Sequence, residues 1–358
     1  MVDLKLPKWG FVLGLVGCLI IGAVDGAHAE NKGNLIKSHR NPSQVANEKL
    51  GKFNLQLKWL PQAQFAGYYV AKEKGFYDKL GVEITIIPGG PDIIPMLQLV
   101  IGAADIIVEW MPFALASREE GVPVVNIAQP FKKSGMMLTC RKDSGIRSPE
   151  DLRGKTVGVW YNGSEYSFLS WMSTLGIPLN GTSTGIRVIR QADDISMLKH
   201  KKADCISTMN YNEYWQVIEA GMSANDLVNL SYQDNNVASL EDGIYIKEIL
   251  LNDPRQAKYL ANFIKASMQG WDYAAEHPDE AIDIILREAG VKDNNALKRT
   301  HQTRMLTEVL KLMKKPNWAL DEADFQRTVH ILSANGADPI ITLQPKGAWS
   351  HAITDLVK

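Results

Sequence analysis

From Phe53 onward the chain repeats one rhythm, a short apolar or alternating run followed by a helical pattern, and it restarts that rhythm after a break near residues 135–141. Residues 53–58 alternate apolar and polar side chains, the period of a half-buried strand. Residues 82–87, 104–108 and 124–128 read as further strands, with helices from Phe65 to the stop at Gly75, over 92–100, and from Pro112 to Gly121. After the break come strands at 155–160, 186–190 and 204–208. Helices are expected at 148–152 (capped by Ser148), 165–175, from Asp193, and over 212–220. Alternation of this kind implies parallel strands joined by right-handed helical crossovers.

Residues 241–246 then read as a strand that returns to the first set. Two crossings imply a discontinuous first lobe, 52–140 with 241–358, around a second lobe at 141–240. The last hundred residues are mainly helical in pattern, with Leu260, Phe263, Ile264, Met268 and Trp271 on one apolar stripe and a final helix stopped near Gly336.

The 358 residues balance 39 basic against 40 acidic side chains, so no electrostatic stripe favours nucleic acid or anionic lipid. The N-terminus departs from this average. Lys5 and Lys8 precede an apolar run from Phe11 to Val24, and Ala27-His-Ala29 offers a small-x-small site, which together predict a signal peptide at 1–29 cleaved after Ala29. Lipidation at Cys18, in Leu15-Val-Gly-Cys18, is the alternative, and 30–51 reads as a flexible leader. Cys140 and Cys205 are expected to be small buried apolar residues, with one disulfide between them as the other possibility.

Aromatic, amide and carboxylate residues gather just after the strands. They are Trp59, Gln62 and Gln64; Gly89; Glu109 and Trp110; Tyr161, Gly163, Ser164 and Glu165; Asn210, Tyr211 and Glu213; and Asp242. In open α/β sheets ligands sit at the carboxyl ends of strands, so these residues would line a crevice. Aromatic loops suit a planar ring, and neighbouring carboxylates accept hydrogen bonds from ring amines. Trp59 and Tyr161 are the candidates for stacking. A plainer account is open for each: Trp59 packs a turn, Trp110 and Trp160 cap buried strands, and Glu213 suits a helix start. Residues 161–164 form a tight turn before a helix, a shape that can cradle an anion or only water. The seven histidines lie away from these loops and are expected at the surface. No nucleophile elbow, phosphate loop, His-Glu-x-x-His or Cys-x-x-Cys occurs, which favours binding over catalysis.

The segment from Lys58 to Tyr77, with Pro88-Gly-Gly-Pro-Asp92, Gly154-Lys-Thr-Val-Gly158 and Asn210-Tyr-Asn-Glu213, resembles the periplasmic solute-binding proteins of ABC importers for thiamine pyrimidine precursors and riboflavin. The likeness covers about residues 52 to 290. It implies an α/β, two-lobed periplasmic-binding-protein fold of type II, with mixed, mostly parallel sheets flanked by helices and a ligand cleft between the lobes. It also implies a monomer without a cofactor, a small heterocyclic ligand, and partnership with a membrane permease and its ATPase. The same family contains a thiamine pyrimidine synthase whose reacting residues lie in a Lys-x-Met-x-His pattern. Here Glu109-Trp-Met-Pro-Phe113 stands at that place, so Glu109 replaces the lysine and Phe113 the histidine. The enzyme's cysteine-rich segment also has no counterpart around residues 235–250.

Overall fold

The computed structural model describes residues 50–291, 295–313, 317–333 and 339–357. The signal segment, Cys18, the leader up to residue 49, and Gly336 lie outside the described residues. The strands in chain order are β1 (Gly51–Gln56), β2 (Val82–Ile87), β3 (Ile106–Glu109), β4 (Val124–Ala128) and β5 (Met136–Arg141). They continue as β6 (Thr156–Val159), β7 (Arg187–Arg190), β8 (Cys205–Met209), β9 (Leu227–Ser231) and β10 (Gly243–Lys247). Two five-stranded sheets result, ordered β2-β1-β3-β10-β4 and β7-β6-β8-β5-β9.

Each sheet is mixed, and the mixture follows the crossings. β1 runs parallel to β2 and β3, and β6 parallel to β7 and β8, as helical crossovers demand. β5 and β10 are the first strands after each crossing, and both lie antiparallel to their neighbours. A strand that enters from the other lobe is free of the crossover rule, so the parallel arrangement inferred from alternation stops at these two. β5 already belongs to the second sheet, ahead of residue 141. Gly51, placed in the leader by composition, pairs with Val82 in β1.

Between the strands lie α1 (Ala66–Glu73), α2 (Phe76–Lys79), α3 (Pro95–Ile101), α4 (Met111–Glu119), α5 (Tyr166–Thr174), α6 (Ser196–Lys199) and α7 (Glu213–Glu219). The C-terminal part adds α8 (Pro254–Glu276), α9 (Pro278–Glu288), α10 (Ala296–Leu312) and α11 (Glu322–Ser333). At 149–152 the expected helix is one 3-10 turn, with Ser148 and Asp151 forming a reciprocal capping box. The apolar stripe of α8 packs on α1, and two glycines set the approach. A Cβ on Gly67 would fall 2.2 Å from the Trp271 ring, and one on Gly270 would fall 2.0 Å from the Gly67 carbonyl oxygen.

Cys140 and Cys205 are buried, as expected, and they are joined by a disulfide. Antiparallel pairing of β5 with β8 sets the two cysteines opposite each other, so register brings the sulfurs together across 65 residues of sequence. The two crossing segments are themselves tied. Ser134 Oγ hydrogen-bonds Glu241 Oε1, the Gly135 N–H donates to Glu241 Oε2 at 3.1 Å, and Gln129 Nε2 donates to the Glu241 carbonyl at 2.6 Å. Burial pushes the Glu241 carboxyl up to about 8.

Candidate functional site

The carboxyl ends of β1, β3, β6 and β8 converge on one cleft between the sheets. Lys58, Trp59, Gln62, Gln64 and Trp110 line it from the first lobe, and Trp160, Ser164, Met209, Tyr211, Asn212 and Glu213 from the second. The space it encloses in this form is small, about 30 Å³. Hydrogen bonds span the lobes on both sides: Asn162 Nδ2 donates to the Pro91 carbonyl at 2.8 Å, and Arg190 pairs with Asp92 at 2.9 Å. Asn212 Nδ2 lies 3.4 Å from Gln62 Oε1. The structure is thus of the shut form.

On the first-lobe wall, Pro61 and the 3-10 turn 63–65 lead from β1 into α1 and bury both glutamines. Gln62 Nε2 donates to Gln64 Oε1 at 2.6 Å, and Gln64 Nε2 donates to Asp242 Oδ2 at 2.6 Å. Trp110 Nε1 donates to the other oxygen of Asp242 at 2.9 Å. Burial pushes the Asp242 carboxyl up to about 6 against these two donors, and Asp242 sits at φ +45°, a left-handed conformation uncommon outside glycine. Lys58 Nζ lies 2.6 Å from Glu109 Oε1, with side chains 6% and 0% exposed. Burial raises the Glu109 carboxyl and the ammonium opposes the rise.

On the second-lobe wall, α7 begins one residue after Asn212, and Glu213 folds back on the end of β8. The Met209 N–H donates to Glu213 Oε2 at 2.9 Å, and Asn212 Nδ2 donates to Glu213 Oε1 at 2.7 Å. Burial still dominates and holds the Glu213 carboxyl up at about 7. The Trp59 and Trp160 rings approach from opposite lobes, 6.2 Å apart between centroids and tilted by 59°.

Of the residues expected from sequence, Trp59, Gln62, Gln64, Trp110, Ser164, Tyr211 and Glu213 border the cleft. Glu109, Asp242 and Asn210 stand behind it, the first two as partners of Lys58, Gln64 and Trp110. Asn210 Oδ1 and Glu109 Oε2 are buried without a hydrogen-bond partner among the described residues. Gly89 packs under the wall, where a Cβ would fall 2.4 Å from the Leu57 carbonyl oxygen. Tyr161 lies outside the lining, and Trp160 beside it takes the place facing Trp59. The turn at 161–164 accepts an anion from its own chain, because the Gly163 N–H donates to Glu165 Oε2 at 2.8 Å. Burial raises the Glu165 carboxyl, and Ser164 is the member of the turn that reaches the cleft.

Sequence reasoning missed Lys58, Trp160, Met209 and Asn212. It also missed His301, whose ring meets Asn212 Oδ1 and Glu219 across the lobes at 2.9 Å each. Asn212 had a signal, since it lies inside a quoted motif between Tyr211 and Glu213. Lys58 adjoins Trp59 but reads as a solvent-facing end to an alternating strand.

Two mixed sheets, a cleft at their strand ends and a double crossing define the two-lobed periplasmic-binding-protein fold. The fold matches a solved protein of Bordetella bronchiseptica RB50 with a TM-score of 0.66 at 14% identity, over 86% of this chain and 96% of that one. The chain belongs to the family described as NMT1/THI5 like, matched over residues 62–281. It is similar to the formylaminopyrimidine-binding protein of Halalkalibacterium halodurans, 22% identical over 80% of this chain and 85% of that protein. It is also similar to the riboflavin-binding protein RibY of Chloroflexus aurantiacus, 25% identical over 69% of each. At the place of the synthase's lysine, Glu109 is engaged in an ion pair, and at that of its histidine Phe113 is buried.

Proposed function

We propose that this chain is the exported solute-binding subunit of an ABC importer, and that its lobes close on a planar, nitrogen-bearing heterocycle of the aminopyrimidine or flavin class. The observation that carries this is the pair Trp59 and Trp160, offered from opposite lobes beside the buried acid Glu213, with Asp242 behind the first-lobe wall. A flat ring entering the open cleft meets an indole on each side, and each aromatic contact contributes roughly 0.5–1.5 kcal/mol beyond burial. An acid held near neutrality serves a ring amine as a carboxylate acceptor, or a ring nitrogen as a carboxylic acid donor. The ligands that name the two relatives, a formylaminopyrimidine and riboflavin, are both of this kind.

The remaining parts fit transport. The signal peptide, cleaved after Ala29, delivers the protein to the periplasm, and the shut form docks on a membrane permease whose ATPase is a separate chain. Lipidation at Cys18 would tether the same domain without altering the cleft. Mass spectrometry of the acid-released small molecules from freshly purified protein tests the ligand class. A heterocycle with ring nitrogens, near one per chain, is expected. A sulphonate, sugar or inorganic anion at that stoichiometry would contradict it.

A further inference from the structure

We propose that His301 is a positioning residue for ligand capture, which holds the lobes shut by carrying a proton between two acceptors on the opposite lobe. This rests on the proposed capture by closure. His301 belongs to α10, which packs on the 63–65 turn of the first lobe, where the Ala63 N–H donates to Gln302 Oε1 at 2.7 Å. Its ring reaches over to α7 of the second lobe, with Nδ1 2.9 Å from Glu219 Oε2 and Nε2 2.9 Å from Asn212 Oδ1.

The protonation state follows from a chain of hydrogen bonds that starts in the cleft. Asp242 accepts from Gln64 Nε2, which turns Gln64 Oε1 toward Gln62 Nε2. Gln62 Oε1 is thereby left as an acceptor facing Asn212, so Asn212 turns its Nδ2 to Gln62 and Glu213 and its Oδ1 to His301 and Gln216 Nε2. Nε2 of His301 must therefore donate. Its other nitrogen faces a carboxylate and must donate as well. A neutral imidazole has one N–H, and only the imidazolium satisfies both.

The charged groups around the ring set the strength of this arrangement. Glu219 accepts from His301 and, through its other oxygen, from Arg304 at 2.9 Å, so one carboxylate serves two cations from α10. Arg304 also lies over the Trp215 ring of α7, 4.3 Å from its centroid. Glu213 stands behind Asn212, and Arg299, two residues before His301, is held by Asp283 of α9. In the open form both ring nitrogens return to water, so closing takes up a proton. A closure that takes up a proton is favoured as pH falls and weakens as pH rises. Because Asn212 also holds Glu213 at the cleft, release of the ring loosens the binding wall itself.

The test is the distance between the lobes. Nitroxide labels on Lys72→Cys in α1 and Ser183→Cys in the second lobe, both exposed positions, report closure by electron–electron dipolar spectroscopy on the mature chain. It is run from pH 5.5 to 8.5, alone and with riboflavin or 4-amino-5-hydroxymethyl-2-methylpyrimidine as probe. In the otherwise unaltered chain the closed population is expected to fall severalfold over this range. In His301→Gln, and in Glu219→Gln, it should be low and keep only the shallower pH response that Glu213 and Asp242 supply. Superimposable profiles for the parent and His301→Gln would overturn the latch, even if a probe binds. A pH-dependent closure lowered and flattened by His301→Gln, with neither probe binding, would sustain the latch and contradict the ligand class.

Discussion

On the first-lobe wall the polar side chains are committed to one another: Gln62 to Gln64, Gln64 and Trp110 to Asp242, and Lys58 to Glu109. On the second-lobe wall the acid Glu213 rests on one backbone N–H and on Asn212, which in turn hangs on His301 from the opposite lobe. The first wall is held mainly by bonds within its own lobe. The second is completed only when the lobes meet. A cleft built this way presents a rigid indole and amide face to an incoming solute and places its adjustable acid last.

Breaking the first wall should therefore cost far more than editing the second. Lys58→Met removes one partner of a buried ion pair and leaves Glu109 enclosed without its cation. Loss of a partner in such a pair destabilises by roughly 3–5 kcal/mol. Urea unfolding of the mature domain should register a loss of this order, and a change below about 1 kcal/mol would mean that the wall is not held by that pair.

The second wall is sharpened by pH. Burial carries the Glu213 carboxyl from 4.5 up to about 7, so the unfolded chain releases this proton before the folded one does. Its contribution to stability is then complete at low pH, declines between about 4.5 and about 7, and levels off above. Glu213→Gln cannot ionise and should show a shallower decline over that window, with Asp242 and Glu241 supplying what remains. Unfolding curves at pH 5 and pH 8 measure the difference, and equal declines would place the Glu213 proton elsewhere.

Much of the scaffold was legible because it is local. The strands of the first lobe carry a period of two or run wholly apolar, and Gly75, Gly121 and Gly176 mark helix ends in the sequence as in the structure. β9 escaped because Leu-Val-Asn-Leu-Ser between polar loops has too few apolar residues to stand out. The parallel rule failed at β5 and β10 because each enters its sheet from the other lobe. What stayed hidden depends on distance along the chain: Cys140 meets Cys205 across 65 residues, and His301 meets Asn212 across 89. Neighbouring residues also exchanged roles, with Trp160 rather than Tyr161 facing Trp59. A turn fixes which of two adjacent side chains points inward, and composition does not.

The central claim, that the two tryptophans embrace a planar heterocycle, is tested most directly by titration calorimetry of the mature protein and Trp59→Ala. Riboflavin, 4-amino-5-hydroxymethyl-2-methylpyrimidine and an aliphatic sulphonate serve as candidates. Binding heat is predicted with one heterocycle and none with the sulphonate, and Trp59→Ala should weaken the affinity by roughly 2- to 12-fold, as the loss of roughly 0.5–1.5 kcal/mol of ring contact requires. Heat with the sulphonate alone, or an affinity for the heterocycle that Trp59→Ala leaves unchanged, would contradict it.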